Sequence, residues 1–140
     1  MSNSFSFKIN PAFIVGIGLI RRDSLSTKRS RLGEDKNSFG YQNRGSVAHG
    51  GYLTKCMKSY GNSDIVSIEL FIPENCGKET SEAHFYINGV LQDVYLCNFP
   101  KNVVLGFHLF GKKSSCRVFG FSKISGFTNP GHRSLQAICW

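Results

Sequence analysis

No apolar run in this chain is long enough to cross a membrane. The longest, Ala12 to Ile20, falls well short of the ~20 residues a spanning helix needs. The N-terminus lacks the charged and apolar layout of a secretory signal, and no Asn-x-Ser/Thr acceptor occurs. The expected setting is therefore intracellular, nuclear or cytoplasmic, with no membrane partner. Helical periodicity with caps is missing throughout, which argues against a helical domain. The 5 cysteines (Cys56, Cys76, Cys97, Cys116 and Cys139) form no C-x-x-C pair. That spacing argues against a zinc site and a disulfide framework, and points to free, mostly buried thiols in a reducing compartment.

Catalytic signatures are also missing. There is no G-x-S-x-G, no phosphate-binding loop ending in Lys-Ser/Thr, and no H-E-x-x-H. Gly16-x-Gly18 follows a strand, but no helix pattern comes after it, so a dinucleotide site is not supported. His49, His84, His108 and His132 are scattered, and His84 and His108 fall on expected strands in structural roles. Nothing in the spacing of Cys97 or Cys116 with His108 supports a nucleophile–base pair. The carboxylates show no pairing, and no acidic calcium-ligand cluster is present. The expectation is a chain with no catalytic residues, no metal and no cofactor, and a lectin reading loses its support with the missing calcium ligands.

What is present is a globular composition, 41% apolar and 19% charged over 140 residues, which is one domain by length. There are 15 glycines for turns and 12 phenylalanines for strand faces. Phe5 to Ile9 alternates apolar and polar residues, and Asn10-Pro11 breaks it. Ala12 to Ile20 reads as a strand covered on both faces. Ser38 to Gln42 is a short aromatic strand, and Val47 to Met57 is ambiguous. Ile65 to Ile72 places Val66, Ile68, Leu70 and Ile72 on one face. Ala83 to Ile87 and Val90 to Cys97 flank Asn88-Gly89, a strong hairpin signal. Val103 to Phe110, with Leu105, Phe107 and Leu109 on one face, and Cys116 to Phe121 complete the strands. Short strands with turns between them predict an all-β, two-sheet antiparallel sandwich over residues 1–122. Residues 123–140 are expected to form an irregular tail whose apolar end packs back on the domain.

Charge is uneven. Residues 1–60 hold 10 Lys and Arg against 3 Asp and Glu, whereas residues 61–140 hold 7 against 6. The excess concentrates in residues 21–36, which lack any apolar period and read as a long loop carrying Arg21, Arg22, Lys28, Arg29 and Arg31. Such a loop attracts acidic peptides, phosphates or nucleic acid, or is a solvated loop that aids solubility.

In order along the chain, several segments resemble the SPRY domain, a concanavalin-like β-sandwich that binds other proteins. They are Phe5 to Ile9; Val15-Gly16-Ile17-Gly18; Leu32-Gly33-Glu34-Asp35-Lys36-Asn37-Ser38-Phe39-Gly40-Tyr41 with Gly45; Tyr60-Gly61 to Val66; Phe85 to Gly89; Phe99-Pro100 with Val103 to Leu109; and Val118 to Phe121. The stretch from Leu32 to Tyr41 is most similar to two nuclear branches, the trithorax-type histone methyltransferase subunit and heterogeneous nuclear ribonucleoprotein U. Asp64 stands later than the family's aspartate, and the family's first strands are missing or replaced by residues 1–4 and the tail. The methyltransferase branch grips acidic or phosphorylated peptide with arginines whose positions fall on Ile14 and Gln42 here, so that pocket does not carry over, although Arg31 and Arg44 lie nearby.

The resemblance implies a non-catalytic protein-interaction module that works through loops at one end of the sandwich: residues 21–36, 43–51, 57–63 and 73–82. The expected contact residues are Arg21, Arg22, Arg29, Arg31 and Arg44 for an acidic or phosphorylated segment. Tyr41 and Tyr60, together with Tyr52, are expected as anchors where exposed. The alternative is a nucleic-acid-binding accessory domain. Basic residues without interleaved aromatics limit that to weak, salt-sensitive contact. Missing early strands also leave room for an edge completed by a partner strand or a second copy.

Overall fold

A computed structural model describes residues 2–10, 14–73, 80–110, 115–124 and 135–140. Among them the chain runs through β1 (Ser2–Asn10), β2 (Ile14–Arg21), a 3-10 turn (Arg22–Ser24), β3 (Ser38–Gln42), β4 (Ser46–His49), β5 (Tyr52–Lys55), β6 (Asp64–Phe71), β7 (Glu82–Ile87), β8 (Val90–Cys97), β9 (Val103–Phe110), β10 (Ser115–Ile124) and β11 (Gln136–Cys139). One sheet has the order β10-β1-β6-β7-β8-β11 and the other β5-β4-β3-β2-β9. Every pairing is antiparallel except that of β11 with β8. This is the two-sheet sandwich that the strand alternation predicts.

Period-2 alternation decides which side chains meet between the sheets. From the five-stranded sheet come Val15, Ile17, Leu19, Phe39, Tyr41 and Val47; from the six-stranded sheet come Phe7, Val66, Ile68, Leu70, Ala83, Phe85 and Leu96. Phe39 and Tyr41 reach across to Phe85, with ring centroids 6.0 and 5.4 Å away. Large rings of this kind fill the ~10 Å between packed sheets. The hairpin forms where expected: Asn88 has φ 50° and Gly89 φ 80°, the positive values that a tight two-residue turn requires.

Three regions differ from the sequence reading. The ambiguous stretch from Val47 to Met57 contains β4 and β5, joined by Gly50 and Gly51. β10 continues to Ile124, past the boundary expected at residue 122. The apolar chain end forms a strand: β11 adds a sixth strand to the larger sheet, Ile138 and Trp140 pack on the core, and the Trp140 N–H donates to the Cys97 carbonyl at 3.0 Å, whereas residues 125–134, where the irregular tail is expected, lie outside the described residues. A parallel pairing of four residues has no adjacent turn to announce it, so local pattern does not reveal it.

The expected cluster of loops at one end is also corrected. β4 runs between the two ends of the sandwich, so residues 43–51 touch both. Residues 43–45 are joined to residues 56–60, the Tyr60 N–H donating to the Asn43 carbonyl at 2.8 Å. Gly50 and Gly51 at the opposite end donate to Asp35 and Gly33, both at 2.9 Å. Ser81 lies at that same end, bonded to Phe99; residues 74–79 are outside the described set.

Candidate interaction surface

Residues 22–37 do not project from the sandwich end as a free loop. They fold as a flap across the outer face of the five-stranded sheet. The outer face is the half of each strand not used by the core, and its floor is made of Gly16, Gly18, Gly40 and Gly106. Leu32, 3% exposed, seats on that floor. A Cβ on Gly40 would stand 2.8 Å from the Leu32 Cβ, so the leucine fits because glycine is there. This cover explains why all five residues of β3 are buried, and why β2 is covered on both faces.

Polar contacts fix the flap. The Leu32 N–H donates to His108 Nδ1 at 3.0 Å, and the Gly33 N–H to Ser38 Oγ at 2.8 Å. Arg29 donates through Nε and Nη2 to Asp35 Oδ2 at 3.2 and 3.0 Å, and through Nη2 to the Ser24 carbonyl at 3.3 Å. Asp35 Oδ1 accepts from the Asn37 N–H at 3.0 Å and from the Ser38 hydroxyl at 3.1 Å. Burial pushes the Asp35 carboxyl up, but the Arg29 hydrogen bond, the Asn37 N–H, the Arg29 charge and the Ser38 hydroxyl together hold it below the ordinary 3.8. His108 is lowered to about 4, first by burial and then by the Arg31 charge. Its ring is therefore neutral at pH 7, which leaves Nδ1 free to accept.

These contacts sort the expected site residues. Arg22 and Arg31 lie on the flap with exposed side chains, and Lys28, absent from the expected set, joins them. Arg21 is also exposed, 3.2 Å from Asp23 in a surface pair of little energetic weight. Arg29 is a correction: its side chain is 9% exposed and committed to Asp35, so it holds the flap rather than a partner. Tyr41 and Tyr60 are corrections as well, since both are core residues. The Tyr41 hydroxyl donates to the Lys58 carbonyl, the Tyr60 hydroxyl donates to the Tyr41 carbonyl at 2.7 Å, and the two rings meet edge to face at 5.0 Å. Burial, with the neighbouring Cys56, pushes the Tyr41 phenol up. Of the three tyrosines considered, Tyr52 alone is exposed, on the edge strand β5. Arg44 is exposed in the β3–β4 turn, outside the flap.

Between the flap and β9 lies a cavity of about 320 Å³, lined by Ile20, Leu25, Thr27, Lys28, Arg31 and His108 among others. Sequence reading misses both the cavity and the Leu32 plug. The glycines share a face only once β2, β3 and β9 are set side by side.

Other candidate chemistry is accounted for by packing. His84 stacks on Tyr95 at 4.8 Å and lies 3.2 Å from Glu82. Cys97 Sγ sits 3.6 Å from Cys139 Sγ, not beside a histidine. Burial, with that neighbouring thiol, pushes Cys97 up to about 11, the reverse of an activated nucleophile. Among the described residues, Cys56, Cys97 and Cys139 are free thiols and no cluster suited to a metal occurs. The Cys116 side chain lies outside the described set.

No protein-family model and no curated protein matches the chain in sequence. Solved structures match in fold. A human SPRY domain superposes with a TM-score of 0.65 at 17% identity, covering 83% of this chain and 74% of that one. The SPRY domain of human HERC1 superposes with a TM-score of 0.57 at 14% identity, covering 84% of this chain and 73% of that one. The sandwich has the fold of SPRY domains.

Proposed function

We propose that this SPRY-like sandwich is a non-catalytic protein-interaction module that binds an acidic or phosphorylated segment of a partner through the exposed face of its basic flap. The observation that carries the reading is the order of the flap. Leu32, Arg29, Asp35 and His108 fix its backbone, while Arg22, Lys28 and Arg31 remain exposed. Cations on a fixed backbone bind with less ordering cost than cations on a loose one, and they steer acidic partners over a distance. The missing catalytic motifs and the raised Cys97 thiol support a non-catalytic role. The likeness of Leu32 to Tyr41 to two nuclear branches favours a nuclear complex.

The test compares Arg22→Glu/Lys28→Glu/Arg31→Glu with a control of equal charge change, Lys8→Glu/Lys55→Glu/Lys58→Glu, placed on exposed positions elsewhere. Each is used for affinity capture and mass spectrometry from nuclease-treated lysate. The flap variant is expected to lose at least tenfold of its main partner while the control keeps it. Equal loss in both would reduce the flap to bulk charge. A partner that disappears after nuclease in the wild type would favour the nucleic-acid reading.

A further inference from the structure

We propose that the open edge of β9 accepts an extended segment of a partner protein as a sixth strand of the smaller sheet, with apolar residues facing inward and acidic residues outward. The inference rests on the flap's being the acidic-partner surface and adds where and how the partner's backbone docks.

β9 pairs with β2 along its whole length, from Ile14↔Phe110 to Arg21↔Val103, and among the described residues no strand pairs with its other side. Its sequence, Val103-Val104-Leu105-Gly106-Phe107-His108-Leu109-Phe110, carries neither proline nor a lysine, arginine or carboxylate. These are the residues by which edge strands ordinarily repel further pairing. The inner face is also unfinished at this edge. Ile17 and Val15 are fully buried, yet their cross-strand neighbours Phe107 and Leu109 are 48% and 38% exposed. Inward side chains of one more strand would extend the core over both rows, just as β9 covers β2.

The outer face specifies the other half of the pattern. Alternate residues of an added strand would project beside Gly106 and His108, where the flap presents Lys28 and Arg31 around the 320 Å³ cavity. The flap's own carboxylates are engaged. Asp23 pairs with Arg21, Asp35 is held by Arg29, and Glu34 accepts from the Ser30 N–H at 2.6 Å. The region next to the edge is thus complementary to carboxylates. A second copy fits poorly, because pairing two β9 edges would set two basic flaps side by side.

The experiment uses the whole chain and two labelled eight-residue peptides of alternating Val and Glu. One has an ordinary backbone, and the other is N-methylated at every second residue. The N-methyl groups keep the side chains and charge but remove strand donors. Fluorescence anisotropy is expected to show binding of the ordinary peptide, at least tenfold weaker binding of the N-methylated one, and at least tenfold weakening by Phe107→Lys/Leu109→Lys. Amide exchange in β9 should slow on binding. Equal binding of both peptides would overturn the inference, and if that binding is also lost in Arg22→Glu/Lys28→Glu/Arg31→Glu, the flap reading survives as charge-only docking. Binding of neither peptide at millimolar concentration would overturn it too. Dimerisation of the free chain through β9, seen by sedimentation and abolished by the Phe107→Lys/Leu109→Lys pair, would make a second copy the occupant and equally overturn it.

Discussion

Leu32 owes its position to a missing atom. Gly40 has no Cβ, and adding one places it 2.8 Å from the Leu32 Cβ and 2.9 Å from its carbonyl oxygen. Gly40→Ala is therefore expected to lift the flap and cost about 1–3 kcal/mol, as overpacking does. Urea unfolding measures the loss, and faster amide exchange confined to residues 24–37 would locate it. Asn88 illustrates a different dependence. Its Oδ1 accepts from the Ile65 N–H and its Nδ2 donates to Asp64 Oδ1, both at 2.9 Å. Asn88→Ala should cost about 0.5–1.5 kcal/mol from these exposed bonds. The Asn88-Gly89 turn was legible in sequence because its signal is local. The Leu32 seat was not, because it depends on glycines from three strands. Tyr41 and Tyr60 were misplaced for the reverse reason. An aromatic beside a turn has the same local pattern whether its ring faces solvent or core, and here two carbonyls capture their hydroxyls inside.

At the scale of the element, the flap is tied to protonation. His108 is held at about 4 against an ordinary 6.5. Between those values the unfolded chain takes up a proton that the folded chain refuses, so stability falls as pH drops through that window and is unaffected above it. The ring is part-exposed, which reduces the effect to about 1–2 kcal/mol. Charging the ring also removes the acceptor of the Leu32 N–H. The urea midpoint of the wild type should thus fall from pH 7 to pH 4.5, and His108→Gln should lack that share of the fall. Asp35 acts lower. Its stabilisation is present above its ordinary 3.8 and is lost as pH falls through its depressed folded value. The strands themselves were largely legible, since β1, β2, β3, β6, β7, β8 and β9 each carry alternation or a bounding turn. β11 was not, because its partner β8 is distant in sequence and parallel to it.

Across the whole molecule, a net charge of +8 on a chain of 140 residues gives the surface an excess of cations that attracts acidic groups. Sequence shows the excess in residues 21–36 but not its disposition, because local charge says nothing of which cations are engaged internally. The fold separates Arg29, committed to Asp35, from Arg22, Lys28 and Arg31, which face outward. Partner capture through those three cations should weaken severalfold between 50 and 200 mM salt, over which the Debye length shortens from about 14 to about 7 Å. Salt-independent capture would point to apolar contacts instead.

Residues 22–37 form an ordered basic flap and not a solvated loop. Native-state amide exchange at Leu32 and Gly33 tests it most directly, because their N–H groups end on His108 Nδ1 and Ser38 Oγ. Strong protection is expected at both amides at pH 7, with Leu32 selectively exposed in His108→Ala. Exchange at both positions as fast as in an unstructured peptide would contradict it.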